Sequence, residues 1–204
     1  MVRKTSDAAV HSGSWQWSRT ATTQRKLLDA AAAVFSELGF TDAGISDIVT
    51  RAGSSVGSLY HHFGGKTEIF LALWDDYQNE HERLVAAAVA KARKSGENDP
   101  LTLFNVGSRT YFDYTWKHRA LERVFFEGDA PPGFELLRRE RGREWVRQNS
   151  VLLRTAEDTL GRLTVAVITD IITVAGHEVA LSATKKEADD VVDAAAVLVA
   201  RLVR

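Results

Sequence analysis

The chain has 204 residues, 45% hydrophobic and 26% charged, with a net charge of −1 and no cysteine. This is the balance of a soluble globular protein of one large or two modest domains. It excludes disulfides, thiolate metal sites and cysteine nucleophiles, and no run of about 18 apolar residues suggests a membrane span. The missing cysteines fit a reducing cytoplasm. The polar, Ser/Thr-rich residues 1–21 read as a flexible arm without a signal-peptide core, so secretion is not expected. Residues 1–67 hold seven Lys and Arg against five Asp and Glu, a slight positive excess with the sign a DNA-binding head needs.

Every periodic segment is helical and none alternates, so the fold expected is all-α. The first helix runs from about Thr23 to Leu38, with Leu28, Ala31, Phe35 and Leu38 on one face, Thr22 as its cap and Gly39 at its stop. A short helix follows over Ile45 to Ala52, with Ile48, Val49 and Ala52 inward and Gly53 at its end. Ser55 caps a third helix from Val56 to Phe63, and Gly64-Gly65 breaks it. A longer helix begins near Thr67 and continues towards Lys94.

Asn98-Asp99-Pro100 opens a helix to about Lys117, and a short one spans roughly Arg119 to Glu127. A loop over residues 128–132, with two of the three prolines, precedes a helix over 133–154. Thr155 with Asp158, and Thr184 with Glu187, have the spacing of capping boxes and mark the last two helices. The total is about nine helices: a three-helix head over 22–67 and a larger helical domain over 68–204.

Residues 45–63 are two short helices about a tight Gly53-Ser54-Ser55 turn, the geometry of a helix-turn-helix. At 100° per residue, Leu59 and Phe63 face the first two helices, while Gly57, Ser58, Tyr60 and His61 face away. Such a face suits a major groove. Gly57 permits close backbone approach, and Ser58 and Tyr60 can donate to phosphates or base edges. Val56 flanks the face and can touch a thymine methyl. Lys66 can reach a phosphate, as can the amides that open its helix.

These residues carry a resemblance. Thr23 through Ala31, Phe35, Gly39-Phe40, Ile45 through Ile48, Ala52-Gly53, Leu59 through Phe63 and Lys66 resemble the N-terminal pattern of the TetR family of bacterial regulators. The resemblance covers about residues 22–74. It implies an all-helical homodimer with a C-terminal ligand-binding domain, usually a repressor whose grip on DNA the ligand relieves. It also places Ser46, Ser55, Val56, Gly57, Ser58, Tyr60, His61 and Lys66 at positions that contact DNA. Two departures bear on the operator sequence: Ala43-Gly44 stands where the family often has Thr or Ser, and Val56 where it often has a basic residue.

His61-His62 is expected as a groove-facing residue beside a partly packed one. Adjacent helical side chains diverge by about 100°, which disfavours a metal pair. Arg3, Lys4 and Arg19 in the arm either enter a minor groove or belong to a plain tail.

The last two helices carry more apolar surface than one neighbour needs. Pairing with symmetry mates in a four-helix bundle would cover Ile171, Val174, Val191, Ala195, Leu198 and Leu202. The middle helices are rich in aromatics, with polar groups set among them as a ligand pocket requires. The pocket residues expected are Phe104, Asn105, Ser108, Tyr111, Phe126, Arg141, Trp145, Gln148 and Asp170. Asp170 and His177 are either pocket groups or an interface pair. The six histidines are scattered, and no HExxH, phosphate-binding loop or Gly-x-Ser-x-Gly elbow occurs, so no catalytic residue, metal ligand or cofactor is expected.

The function expected is a ligand-responsive DNA-binding transcriptional regulator, a repressor released from a palindromic operator by a small, largely apolar or aromatic molecule. The rival reading is a DNA-binding regulator or architectural protein without an effector.

Overall fold

The structure is a computed structural model that describes residues 8–203. Among them it contains nine helices and no strand: α1 Ala8–Asp42, α2 Ile45–Ala52, α3 Val56–Phe63, α4 Lys66–Lys94, α5 Pro100–Lys117, α6 Arg119–Phe126, α7 Phe134–Leu153, α8 Thr159–Leu181 and α9 Lys185–Leu202. The all-α expectation holds. Contacts divide the chain into two compact units, which meet between Leu73 and Trp74.

In the first unit, α1 starts at Ala8, well ahead of Thr23. Serine and threonine cost only a few tenths of a kcal/mol each inside a helix, so a polar composition alone does not stop one. Arg3 and Lys4 lie outside the described residues. Gly39 ends the regular part of α1, where its φ of 76° and ψ of 177° put a kink before Asp42. Only glycine adopts that geometry without strain. Leu27, Ala31, Phe35, Ile48, Leu59, Ile69 and Phe70 are fully buried together. Phe70 meets Phe35 and Phe40 edge to face at 5.3 and 5.1 Å, and those two rings lie tilted at 5.9 Å.

The second unit closes around two apolar clusters. One joins Tyr111 and Phe112 of α5 to Ala175 and Val179 of α8 and to Ala188, Val192 and Ala195 of α9. The other joins Phe104, Leu153, Val165, Ile168 and Val199. Asp99 caps α5 by accepting from the Thr102 amide at 2.8 Å, with Pro100 at the first helical position. Thr184 and Glu187 form the expected capping box on α9. Thr155 does not open α8. Asp158 does, accepting from the Gly161 amide at 2.7 Å, while the Thr155 hydroxyl bonds to Ser150. An ionised carboxylate is the stronger acceptor for free helix-start amides, so the cap falls on Asp158.

Helix α8 is apolar enough on average, with a mean hydropathy of 1.5 over its best window, to match a membrane span in length and composition. The sequence reading expected no such segment. In the structure α8 packs on α5, α6, α7 and α9.

Candidate DNA-binding face and ligand cavity

The α2–α3 pair is built around its turn. Gly53 closes α2 in the left-handed region at φ 59°, its N–H bonding back to Thr50 and Ser54 to Val49. Ser55 then caps α3, its hydroxyl accepting from the Ser58 amide at 3.2 Å. At the start of α2, Gly44 has no side chain to cap with, and Asp47 closes the gap by accepting from the Gly44 amide at 2.9 Å. A Cβ on Gly44 would lie 2.9 Å from the Asp47 carboxylate, so a larger residue there would push this cap aside. Arg51 of α2 holds Glu37 of α1 through two bonds of 2.7 and 2.8 Å, which lower the Glu37 pKa and raise that of Arg51.

This frame orients α3 as the helical wheel predicted. Leu59 is fully buried, while Tyr60 is 52% and Val56 47% exposed. Gly57 and His61 are exposed beside them, Ser46 and Ser55 are exposed, and Ser58 is half-buried. A Cβ added at Gly57 would meet nothing within 4 Å. The missing side chain therefore serves no packing purpose within the protein. The rings of His61 and His62 meet edge to face at 5.1 Å, and no group of three His, Cys, Asp or Glu suited to a metal occurs among the described residues.

Lys66 is placed differently from the sequence expectation. Its ammonium donates to the carbonyls of Phe40, Thr41 and Ala43 at 2.7, 3.0 and 2.9 Å and lies 4.6 Å from the Phe40 ring centre. An ammonium has three donors, and all three are directed to these carbonyls at the end of α1. A cation there meets the negative end of a helix dipole, and position alone could not distinguish that from a phosphate contact.

In the second unit, a cavity of about 520 Å³ opens among α4, α5, α7 and α8. Of the expected pocket residues, Phe104, Ser108, Tyr111, Trp145 and Gln148 line it. Phe126, Arg141 and Asp170 instead line a second cavity of about 490 Å³, which shares Trp145, Thr169 and Thr173 with the first. Asn105 is half-buried and lines neither. The sequence reading missed the wall from α4, namely His81, Glu82, Val85, Val89 and Arg93, and the Asn149–Thr169 pair, whose side chains bond at 3.0 Å. The α4 stripe was readable, because His81, Val85 and Val89 recur every four residues. It was passed over for the aromatics of α5 and α7.

The cavity has a polar end and an apolar end. At the polar end the His81 ring stacks on Tyr111, centroids 4.4 Å apart, and meets Trp145 edge to face at 5.8 Å. Burial holds His81 neutral, lowering its pKa to about 3. Glu82 accepts from Arg141 at 3.0 Å and from the Trp145 indole at 3.2 Å. The hydroxyls of Ser108, Thr169 and Thr173 donate to carbonyls of their own helices, leaving lone pairs for other partners. His177 does not pair with Asp170, but with Glu127 at 3.1 Å.

On α8 and α9, the expected interface residues separate. Ala195 is buried in the chain's own core, which removes it from the protomer surface, while Ile171 and Val191 pack against that core and stay partly exposed. Val174, Leu198 and Leu202 are exposed, together with Leu160, Leu163, Val167 and Val197.

Two helices about a glycine turn, with one presenting an outward polar and aromatic face, define a helix-turn-helix protein. The helix-turn-helix unit resembles that of the TetR family of bacterial regulatory proteins. Residues 27–73 match the sequence model described as "Bacterial regulatory proteins, tetR family". The chain is 32% identical over 104 residues to the transcriptional activator FasR of Mycolicibacterium smegmatis, a match of 51% of this chain and 45% of that one. It is 42% identical over 59 residues to the A-factor receptor protein of Streptomyces griseus, 29% of this chain and 21% of that one. The matches thus span a fifth to about half the length of these relatives. A TetR-like transcriptional regulator from Rhodococcus sp. RHA1 superposes with a TM-score of 0.65 at 24% identity, over 89% of this chain and 93% of that one, which bears on the fold.

Proposed function

We propose that this protein is a homodimeric transcriptional regulator that reads a palindromic operator through α3 and releases it when a small, largely apolar or aromatic molecule fills the second unit. The observation that carries this reading is the outward face of α3. Val56, Gly57, Tyr60 and His61 are exposed on a helix whose opposite side, Leu59, is fully buried. Gly57 leaves open space where any other residue would project. DNA contact then falls to Ser46, Ser55, Val56, Gly57, Ser58, Tyr60 and His61, with Lys66 holding the turn that presents them.

The dimer would form through the exposed apolar stripes of α8 and α9. It would set two α3 helices one helical turn of DNA apart, about 34–36 Å, or a multiple of it. Helix α4 supports the coupling. It is one continuous helix from Lys66, which holds the end of α1, to Arg93, which lines the cavity. A ligand that prefers one placement of α4 shifts the balance of states by its differential affinity for them.

Selection of bound duplexes from a random pool tests the reading. A palindrome is expected, and an apolar aromatic compound that fills the cavity should then release it. Failure to enrich any duplex would overturn the reading as a whole. An enriched palindrome that no cavity-filling compound releases would overturn the effector alone.

A further inference from the structure

Side chains that read purines in the major groove by paired hydrogen bonds are Arg and Lys for guanine and Asn and Gln for adenine. Between Gly44 and Lys66 the chain has no Asn or Gln, and its Lys and Arg residues there are Arg51 and Lys66 alone. Both are already committed within the protein. Arg51 holds Glu37 through two bonds of 2.7 and 2.8 Å, and Lys66 donates to the carbonyls of Phe40, Thr41 and Ala43. Asp47 is turned back to the start of α2, where it accepts from the Gly44 amide at 2.9 Å. The α2–α3 pair is left without the usual purine readers.

What α3 presents in their place is apolar and open. In a helix-turn-helix the N-terminal residues of the second helix meet the base edges. The first residue of α3 is Val56, whose branched aliphatic side chain is 47% exposed. A side chain this short reaches a base only if the backbone comes close. Gly57 beside it permits that, since a Cβ there would meet nothing within 4 Å. The turn that carries Val56 is fixed from the other side by Ser55, which caps the helix on the Ser58 amide at 3.2 Å. Tyr60 lies one turn further along the same side, 52% exposed, and its ring extends the apolar surface.

Among the four bases, thymine alone carries an apolar group on its major-groove edge, the C5-methyl. Burying that methyl against an aliphatic side chain is favourable without any hydrogen bond or charge. We propose that Val56 is a specificity-determining residue that selects a thymine in each operator half-site through its C5-methyl group. This deepens the reading of α3 as the DNA-contacting helix and rests on it.

Deoxyuridine tests the proposal, because it pairs as thymine does and lacks only the methyl. A palindrome enriched by the full chain from a random duplex pool is resynthesised with each thymine in turn replaced by deoxyuridine, symmetrically in both half-sites. Binding is read by fluorescence anisotropy at fixed salt. One position in the half-site should stand out. Losing a buried methyl there should weaken binding about fourfold per half-site, and about fifteenfold for the symmetric pair. Val56→Ser removes both methyl groups of the side chain at an exposed position, so the variant should melt as the unaltered protein does. In it the same replacement should cost less than about twofold, with the penalties at other thymines unchanged. An effect of the methyl on DNA shape alone would persist in the variant, so the comparison separates contact from deformability.

A half-site without thymine, or one in which no deoxyuridine weakens binding by more than about twofold, overturns methyl recognition while the reading of α3 stands. An undiminished penalty in Val56→Ser overturns the assignment to Val56. Failure to enrich any duplex overturns the reading of α3 and this inference with it.

Discussion

Replacing Gly57 with alanine separates the demands of the protein from those of DNA. Gly57 is helical, exposed, and has nothing within 4 Å of the position a Cβ would take. Within the protein the methyl is therefore free of clashes and favours the helix, by about 0.5–1 kcal/mol relative to glycine. In a chain of this size that raises the melting temperature by about 1–4 °C. Against a DNA groove the same methyl occupies the space the backbone needs for close approach. If it costs about 1.4 kcal/mol at each half-site, operator affinity falls about tenfold per protomer and about a hundredfold for the dimer. The assay pairs a thermal melt with fluorescence anisotropy on the selected operator at fixed salt, because phosphate contacts make affinity salt-dependent. Higher stability with unchanged affinity would refute the close approach of α3 at this residue and, with it, the docking face proposed. A lower melting temperature would refute the open geometry around Gly57.

Three other perturbations test separate parts of the structure. Lys66→Met leaves the Phe40, Thr41 and Ala43 carbonyls without their donor and should lower stability in urea by about 1–3 kcal/mol; unchanged stability with weaker DNA binding would instead make Lys66 a phosphate contact. Glu122 is buried, and its carboxyl is raised from 4.5 to about 7, so its ionisation favours the unfolded chain. The wild type should lose about 3 kcal/mol relative to Glu122→Gln as pH rises from 4.5 to 7, and the difference should level off above 7. His81, whose pKa is lowered to about 3, acts in the opposite direction below pH 6.5, but it is common to both proteins and cancels in the comparison. Urea titrations from pH 5 to 8 check this, and a pH-independent offset would contradict it. Val174→Glu with Leu198→Glu places charges on surfaces already exposed in the protomer, so the fold should survive while sedimentation equilibrium reports half the mass; an unchanged mass would move the dimer surface elsewhere.

The helix-turn-helix head was legible because its information is local. Gly53, Ser55 and Gly64 set the ends of α2 and α3, and the position of Leu59 fixed which side of α3 turns inward. The start of α1 was not legible, since a Ser/Thr-rich stretch can be helix or arm at little difference in energy. The cavity was half legible for a different reason. Periodicity assigns each residue to a face of its own helix but not to what that face meets. Phe104, Ser108 and Tyr111 share the side of α5 that lines the first cavity, while Arg141 and Asp170, read from α7 and α8 alone, fall in the neighbouring one. Ala195 lies on the stripe of α9 read as an interface, and only the packing of α5 and α8 shows that this side is consumed within the protomer.

Helix α8 shows how much an average conceals. Its composition matches a membrane span, but the angular distribution of its residues argues for a protein partner. Leu160, Leu163, Val167, Val174 and Leu181 are exposed at spacings of three, four and seven, a single stripe along the helix. Asp170 falls within that stripe and is exposed, and Glu178 is exposed near its end. In a hydrocarbon interior each such carboxylate would cost about 2.5–3.5 kcal/mol or more near the midplane. At a protein interface both can reach the wet rim or a paired cation, so the same residues cost little. The opposite side of α8, Val165, Ile168, Ala175 and Val179, is already covered by neighbouring helices, which accounts for the rest of its apolar content. The exposed stripe is the surface the proposed dimer would use, and the paired charge insertions at Val174 and Leu198 are placed to test it directly.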